Sequence, residues 1–354
     1  MRNINRHKMT ELGKFYPSGI LVLKKPKGES SRATLNRLQY AVKIHYKRQL
    51  ELLRQEVNRQ IAPDSAEILR ALQQRKPPRV GHAGTLDPLA TGVLVACVGE
   101  ATKLTEALQT LPKKYTATFR LGAVSDTEDV EGNIRELDDP PQPTLLELQQ
   151  ASAKFVGNIL QHPPIFSALK VGGQRSYNLA RQGLEPELQP RKIVIDKIEV
   201  LEYQYPFFRL FVECGSGTYL RSLGRDMGES LGSGAIMTAL TREQIGEFRL
   251  ENAALPTVFD DSNEEKWLEY LLPTEVGAAH LPRVRLTERL VQKIRNGQLV
   301  RLEELTFPDF SWTSQNHHCE PFLIAAFSPE QKLVSLLELD EKSNVKIKKN
   351  FVAL

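Results

Sequence analysis

Alternation between apolar and polar side chains marks several strands along the chain. Residues 20–23 form an apolar run that ends in a Pro-Gly turn, and residues 115–121 alternate with a period of two, which predicts a half-buried strand. Two similar runs cover 193–203 and 208–214. Helical patterns lie between the strands, over 145–158 and 218–232. Because the repeating unit of a parallel α/β fold is missing, we predict an α+β fold with a mixed, mainly antiparallel sheet and flanking helices.

The N-terminal part of the chain contains a longer helical region. Ser31 is placed to cap a helix whose apolar positions within 35–42 share one face. Residues 44–78 differ in composition, since they are rich in Gln, Arg and Glu with apolar residues at helical spacing. Within them, Asp64 and Glu67 form a capping-box pattern that starts a second helix. We therefore predict a helical hairpin that projects from the body, and not a coiled coil, because three sustained heptads are lacking.

Bulk composition is that of an ordinary globular protein and argues against several classes. The 354 residues are 41% hydrophobic and 25% charged. We expect no membrane span, because no apolar run of about 18 residues occurs, and no secretory signal, because the basic N-terminus lacks an apolar stretch. Cys97, Cys214 and Cys319 form no CxxC pair, which argues against disulfides and favours a cytoplasmic location. The His-His-Cys run at 317–319 has no second ligand cluster, so we expect no metal.

Positive charge is concentrated in the first third of the chain. The net charge of +4 is compatible with a nucleic-acid partner but does not require one. Four basic clusters, at 24–28, 45–49, 74–79 and 112–115, lie among Gly, Pro and aromatic residues. One such cluster would as readily be a solvated face, but four near one motif favour contacts with phosphates.

A single carboxylate, Asp87, lies in an unusual place for a charge. It occupies a turn bounded by Gly84 and Gly92, is followed by Pro88, and precedes the apolar run 93–98. A solvated turn needs no apolar surroundings, and a packed core disfavours an unpaired carboxylate. Asp before Pro is also common in ordinary turns. Asp87 is therefore a candidate nucleophile or base, although a usual glycosidase would need a second carboxylate across the bond.

Four segments of the chain occur in the order seen in one family. They are GHAGTLDPLATGVL at 81–94, KKYTATFRLG at 113–122, the segment from Pro-Pro to Gly at 163–183, and GTYLRSL at 217–223. In these segments the chain resembles the bacterial TruB-type tRNA pseudouridine synthases, and the likeness extends over about residues 19–253. The first motif is the most specific, because ordinary turns do not generate Gly-His-x-Gly-x-Leu-Asp-Pro-Leu-Ala-Thr-Gly. The resemblance implies a pseudouridine synthase core.

The resemblance also implies a reaction and the residues that perform it. Enzymes of this family convert uridine 55 in the T-loop of tRNA to pseudouridine, by breaking the N1–C1′ bond and rejoining the ring through C5, without a cofactor or metal. Their invariant aspartate corresponds to Asp87, and the histidine that helps to hold the opened T-loop corresponds to His82. The tyrosine against the flipped uracil corresponds to Tyr115, where stacking would contribute about 1–3 kcal/mol towards the cost of extruding the base.

Three further positions of the family's site lie later in the chain. In the Gly-Thr-Tyr-x-Arg motif, Tyr219 corresponds to a substrate contact and Arg221 to the cation near the carboxylate. A leucine of the uracil pocket corresponds to Leu240, on a looser match. An arginine close to Asp87 would keep that carboxylate ionised, since an opposite charge lowers a carboxylate pKa that burial raises. Residue identity leaves open whether Asp87 attacks C1′ or removes a ribose proton.

The resemblance finally divides the chain into two expected domains. We expect a catalytic domain over 1–275, in which 44–78 is a helical insertion that either extends the basic RNA footprint or is neutral. We expect a small β-rich, PUA-like RNA-binding module over 276–354. The expected partner is the T-arm of tRNA, bound by a monomer without membrane contact. The alternatives are a guide-RNA-dependent pseudouridine synthase and an inactive RNA-binding or RNA-chaperone protein of the same fold.

Overall fold

The computed structural model describes residues 16–59, 65–184, 186–259, 265–307, 322–339 and 345–351. Asp64 of the capping-box pattern and the His-His-Cys run at 317–319 lie outside the described residues. Within them the fold is α+β, as the sequence pattern predicts, with a large mixed sheet, flanking helices and a separate small β-rich unit near the C-terminus.

Nine strands of the described residues form the large sheet. They are β1 (Gly19–Lys25), β2 (Val80–His82), β3 (Thr91–Val98), β4 (Lys113–Leu121), β7 (Gly157–Gln161), β10 (Arg191–Gln204), β11 (Phe207–Cys214), β12 (Ala235–Ile245) and β13 (Phe248–Arg249). The main spatial order is β1-β3-β12-β4-β11-β10-β7, with β2 paired to β3 and β13 to β12. Two small hairpins, β5 (Ala123–Ser125) with β6 (Ile134–Glu136) and β8 (Lys170–Val171) with β9 (Gln174–Arg175), lie outside it. The pairing of β12 with β3 is parallel and the other pairings described in the large sheet are antiparallel, which confirms the mixed sheet.

The burial of the central strands follows from their sequence. In β4 alternate residues are buried, which confirms the predicted half-buried strand. In β3 every residue after Thr91 is buried, because alternate side chains enter two different cores. Val93 packs in one core with Ile20, and Leu94 packs in the other with Leu38. The strand that follows Asp87 therefore runs through the centre of the protein.

Seven helices of the described residues flank the sheets. They are α1 (Ser31–Asn58), α2 (Ser65–Gln73), α3 (Thr105–Gln109), α4 (Leu145–Ala153), α5 (Ser176–Arg181), α6 (Leu220–Ser230) and α7 (Glu288–Arg295). The prediction that Ser31 caps α1 is wrong by one residue. The Ser30 hydroxyl accepts a hydrogen bond from the Ala33 amide at 3.1 Å and is the N-cap. Adjacent serines fit the same capping pattern, and Ser31 is buried, with its hydroxyl bonded elsewhere.

Helices α1 and α2 pack against each other as a hairpin. Helix α1 runs past residue 44 without a break, so the segment 44–78 first continues an existing helix and then turns back. Tyr46 and Leu53 of α1 form a small core with Ile68 and Leu72 of α2. The Tyr46 hydroxyl donates a hydrogen bond to the Leu72 carbonyl at 2.5 Å, which ties the outer half of α1 to its partner helix.

The C-terminal unit is a four-stranded sheet covered by α7. Its strands, in spatial order, are β14 (Arg283–Arg285), β15 (Phe322–Phe327), β16 (Leu333–Leu339) and β17 (Val345–Asn350). Ile294 of α7 packs with Ile324 in a core on one face. On the other face Ala325 and Leu336 join the core that contains Ile20 of the large sheet. The small sheet is therefore anchored to the body by apolar packing.

Candidate active site

Asp87 lies between β2 and β3 in residues 84–88, which we name the aspartate loop. At the centre of this loop, the Leu86 amide donates a hydrogen bond to the Ser31 hydroxyl at 2.8 Å. The same hydroxyl donates to the Leu86 carbonyl at 2.9 Å. Both residues are buried. The start of α1 therefore fixes the backbone immediately before Asp87.

The end of the aspartate loop is held by a buried lysine. The Pro88 carbonyl lies 3.3 Å from the Lys25 ammonium, which also donates to the carbonyls of Pro26 and Glu29 at 2.8 and 2.5 Å. The Gly28 amide donates to the same Pro88 carbonyl at 2.8 Å. Burial lowers the pKa of Lys25 to about 8. The turn after β1 thus holds the loop just beyond Asp87.

Two lysines from the basic clusters of the sequence are structural. Lys25 of the cluster 24–28 and Lys113 of the cluster 112–115 are both buried. The Lys113 ammonium donates to the Gln109 carbonyl at 2.5 Å, and burial lowers its pKa to about 8. The interpretation of these clusters as phosphate contacts is wrong for these two residues, because their ammonium groups already bond backbone carbonyls.

The beginning of the aspartate loop is held by Arg242 of β12. The buried guanidinium donates to the carbonyls of Gly84 and Thr85 at 3.1 and 3.3 Å, and to that of Val93 at 2.7 Å. Gly92 allows this close approach, since a side chain there would lie within 3 Å of the Arg242 backbone. The role of Arg242 could not be predicted from the sequence, because nothing in a strand sequence marks an arginine as buried.

Asp87 and Arg221 form an ion pair. The Arg221 Nε donates to Asp87 Oδ2 at 2.9 Å, Nη1 donates to the Thr127 carbonyl at 2.7 Å, and Nη2 donates to the Phe166 carbonyl at 3.0 Å. The Arg221 side chain is 5% exposed, whereas that of Asp87 is 38% exposed. The cation is therefore fixed inside the protein while the carboxylate remains open to a ligand.

The position of Arg221 is set by the start of α6. Tyr219 is the N-cap of this helix, and its amide and carbonyl both bond the buried Gln161 side chain, at 2.9 and 3.0 Å. The Tyr219 ring lies under the Arg191 guanidinium, 4.5 Å from it. Gln161 thereby places the helix that carries Arg221, a role that the sequence analysis did not assign.

A second carboxylate shares the same guanidinium. The Oδ2 of buried Asp129 lies 3.5 Å from the Arg221 Nε. The Asp129 Oδ1 accepts hydrogen bonds from the Thr127 hydroxyl at 2.6 Å and the Glu131 amide at 2.9 Å. The role of Asp129 could not be predicted from the sequence, because the acidic run 125–133 has the composition of a solvated turn. Asp87 is thus not the lone acid of the site, but it is the more exposed one.

Tyr115 and Leu240 lie beside the aspartate loop on neighbouring strands. Both are buried in the core that contains Leu86. Burial raises the pKa of the Tyr115 phenol, and the Asp87 charge raises it further, while Arg242 offsets only part of the rise. The phenol is therefore neutral near pH 7, and its hydroxyl keeps its proton.

His82 lies at the entry of the aspartate loop. It ends β2 and pairs with Ala96 of β3, five residues before Asp87. Burial lowers the pKa of His82, a hydrogen bond with the Gly84 backbone offsets part of this effect, and the charges of Arg242 and Arg32 lower the pKa further. The imidazole is therefore neutral near pH 7.

The described residues give no sign of a metal centre or a membrane anchor. No group of three His, Cys, Asp or Glu side chains among them is placed to hold a metal ion. None of the helices within these ranges combines the length and apolarity that a membrane span requires. Cys97 and Cys214 are free and buried, and Cys319 lies outside the described residues.

Comparison with known proteins relates the chain to one family. A family model described as "TruB family pseudouridylate synthase (N terminal domain)" matches residues 69–220. A tRNA pseudouridine synthase B of Clostridium tetani is 39% identical over 242 residues, which cover 68% of this chain and 82% of that relative. A tRNA pseudouridine synthase B of Bacteroides fragilis is 47% identical over 195 residues, or 55% of this chain and 83% of that relative.

A solved structure, the crystal structure of a Cbf5–Nop10–Gar1 complex, shares the fold. It gives a TM-score of 0.67 at 22% identity and covers 96% of this chain and 87% of that one. The two tRNA pseudouridine synthases B are more similar in sequence to this chain than the protein in that structure is, and the matched segments cover most of their length. The chain therefore belongs to the TruB family of pseudouridylate synthases.

Proposed function

We propose that this protein isomerises uridine 55 in the T-loop of tRNA to pseudouridine, with Asp87 as the catalytic carboxylate. The observation that carries the proposal is the pair of Asp87 and Arg221, in which an accessible carboxylate is balanced by a buried, fixed guanidinium. The names of the relatives, tRNA pseudouridine synthase B, support tRNA as the substrate.

The ion pair supports the chemistry because the reaction needs an ionised carboxylate. The Arg221 guanidinium donates a hydrogen bond to the Asp87 carboxylate and balances its negative charge. In that form Asp87 can attack C1′ or remove a ribose proton, and both routes break the N1–C1′ bond. The bond from C5 to C1′ then forms, as the bond to Asp87 breaks or the ribose proton is returned. The C5 proton leaves and N1 gains a proton, so atoms balance without a cofactor.

The surroundings of Asp87 support a flipped nucleotide as the ligand. The reaction requires the uracil to detach at N1, turn and rejoin through C5. A base that is stacked in RNA has no room for this movement, so the nucleotide must be extruded into a pocket. We assign the neutral phenol of Tyr115 to stack on the extruded base and Leu240 to line the same pocket. His82, at the entry of the aspartate loop, and Tyr219, at the start of α6, are the proposed further contacts to RNA.

The division of the chain is also part of the proposal. We assign catalysis to residues 1–275 and RNA binding to the unit 276–354. Two features support the second assignment: the unit has its own core, and β17 adds several lysines to its edge. Crosslinks between bound tRNA and residues 345–350 would support this assignment, and the absence of such crosslinks would contradict it.

The reaction can be tested on an unmodified tRNA transcript labelled with tritium at C5 of uridine. We expect the purified protein alone to release one tritium per tRNA and none from a transcript with cytidine at position 55. Release that requires an added guide RNA would identify a guide-dependent enzyme instead. Binding of the transcript without any release would identify an inactive RNA-binding protein, and either result would contradict the proposal.

A further inference from the structure

The exposed side of α1 carries a row of basic and aromatic side chains. Leu38 and Val42 lie on the buried side of this helix, and the opposite side is exposed along its length. The exposed row, which we name the α1 stripe, consists of Arg32, Asn36, Tyr40, Lys43, Lys47 and Arg54. Spacings of three, four and seven residues place these side chains on one face of a helix.

The hairpin that carries this stripe is much more basic than the rest of the chain. Residues 31–79 contain eleven Lys and Arg against four Asp and Glu, a net charge of +7. Because the whole chain has a net charge of +4, the remaining residues together have a net charge of −3. The positive excess of the protein therefore comes from this hairpin.

Within the part of the chain that the structure describes, the central cations of the α1 stripe are not neutralised by acidic side chains. Lys43 and Lys47 have no acidic partner among the residues that the structure describes. Arg54 pairs with Glu51 one turn away at 3.2 Å, and both side chains are about half exposed. Such an exposed pair contributes little and can exchange for an external anion.

The stripe begins at the aspartate loop and leads away from it. Ser31, whose hydroxyl holds Leu86, immediately precedes Arg32. The charge of Arg32 also makes a small contribution to the lowered pKa of His82. From Arg32 to Arg54 the helix rises by about 33 Å at 1.5 Å per residue. An RNA bound at Asp87 would therefore meet a row of cations that starts at the site.

The outer half of α1 is held rigidly. His45 bonds Glu265 at 3.2 Å and its ring packs edge-on against Trp267. Tyr46 bonds the Leu72 carbonyl of α2. Cations on a pre-ordered helix bind a phosphate backbone with a smaller loss of conformational entropy than cations on a flexible tail.

We infer that the α1 stripe binds the phosphate backbone of the substrate tRNA outside the stem-loop that enters the site. The inference rests on the proposed function, because it takes the T-loop to be bound at Asp87. RNA stems are A-form and rise less per base pair than the roughly 3.4 Å of B-DNA, so a stem of about five base pairs is shorter than roughly 17 Å. Lys47 and Arg54 lie about 22 and 33 Å along the helix from Arg32, beyond the length of such a stem.

Two triple variants of the whole protein test the inference. The first replaces Lys43, Lys47 and Arg54 by Gln, and the matched control replaces Lys154, Lys192 and Arg249, which lie outside the unit 276–354, by Gln. Each removes three exposed positive charges, and each includes one arginine that pairs with a nearby glutamate of its own segment. Kd, KM and kcat are measured for the whole tRNA transcript and for a T-arm stem-loop, at several salt concentrations.

For the stripe variant we expect Kd and KM of the whole tRNA to rise about tenfold at unchanged kcat. The slope of log Kd against log salt concentration should become smaller by about 2 to 3, the value for three lost phosphate contacts. The stem-loop and the control variant should stay within about twofold of the wild type. The inference would be overturned if the stripe variant bound whole tRNA as the wild type does. It would also be overturned if the stripe variant lost as much affinity for the stem-loop, or if the control variant lost as much affinity for whole tRNA. Wild-type protein that binds tRNA but forms no pseudouridine would refute the proposed function, and the Kd comparison would still decide this inference.

Discussion

Replacement of Ser31 by alanine tests whether the hydrogen bonds that fix the aspartate loop are needed for turnover. The Ser31 hydroxyl satisfies both the amide and the carbonyl of buried Leu86, at 2.8 and 2.9 Å. Each buried backbone group left unsatisfied costs about 1–3 kcal/mol, so the two groups of Leu86 lead us to expect that Ser31→Ala lowers the free energy of unfolding by about 2–6 kcal/mol. Because a displacement of about 1 Å can slow a reaction about a hundredfold, we also expect kcat to fall about tenfold to a hundredfold.

Ser30 provides a matched control for this prediction. The same substitution one residue earlier removes the N-cap of α1 and should cost about 1 kcal/mol of stability. Ser30 makes no contact with the aspartate loop among the described hydrogen bonds, so kcat of Ser30→Ala should equal that of the wild type. Urea unfolding and single-turnover formation of pseudouridine measure both effects. Wild-type turnover by Ser31→Ala, or an equal loss in Ser30→Ala, would refute this reasoning.

Two further substitutions probe the other groups that hold the site. Arg221→Lys should lower kcat at least about a hundredfold in the tritium-release assay. One ammonium cannot replace the planar guanidinium that binds Asp87 and two carbonyls. Near-normal release would contradict the role of Arg221 in holding Asp87. Lys25 has a folded-state pKa of about 8, below its ordinary 10.5, so the folded protein binds fewer protons between these values. The unfolding free energy of the wild type should therefore rise relative to Lys25→Met between about pH 8 and pH 10, by at most about 3 kcal/mol. The unfolding free energies are measured by urea unfolding at these pH values. If they change equally with pH in the two proteins, the pKa of Lys25 is not lowered.

Much of the fold could be predicted because its signals are local. The period-two alternation in β4 reflects one buried and one half-exposed face, and it needs no knowledge of the neighbouring strands. The hairpin of α1 and α2 follows from apolar residues at helical spacing. The cap of α1 was misplaced by one residue because Ser30 and Ser31 differ only in what they contact in the folded chain.

The candidate site could be predicted only in part because its charges are paired over long distances. The pairing of Asp87 with Arg221 joins residues 134 positions apart, and the resemblance to a family, not the local pattern, suggested it. Asp129 was missed because an acidic turn has the same sequence whether it faces solvent or a guanidinium. Lys25 was misinterpreted because its burial depends on the aspartate loop, where Pro88, one of the three residues whose carbonyls it bonds, lies 63 positions away.

The most direct test of Asp87 as the catalytic carboxylate is single-turnover formation of pseudouridine by Asp87→Asn. Asparagine keeps the shape of the side chain and removes its charge, so it can neither attack C1′ nor act as a base. We predict a loss of at least about a thousandfold in rate, with the Kd for tRNA within about threefold of the wild type. Asp129→Asn, which neutralises the buried neighbour at Arg221, should retain more activity. Product formed by Asp87→Asn at the wild-type rate would contradict the assignment.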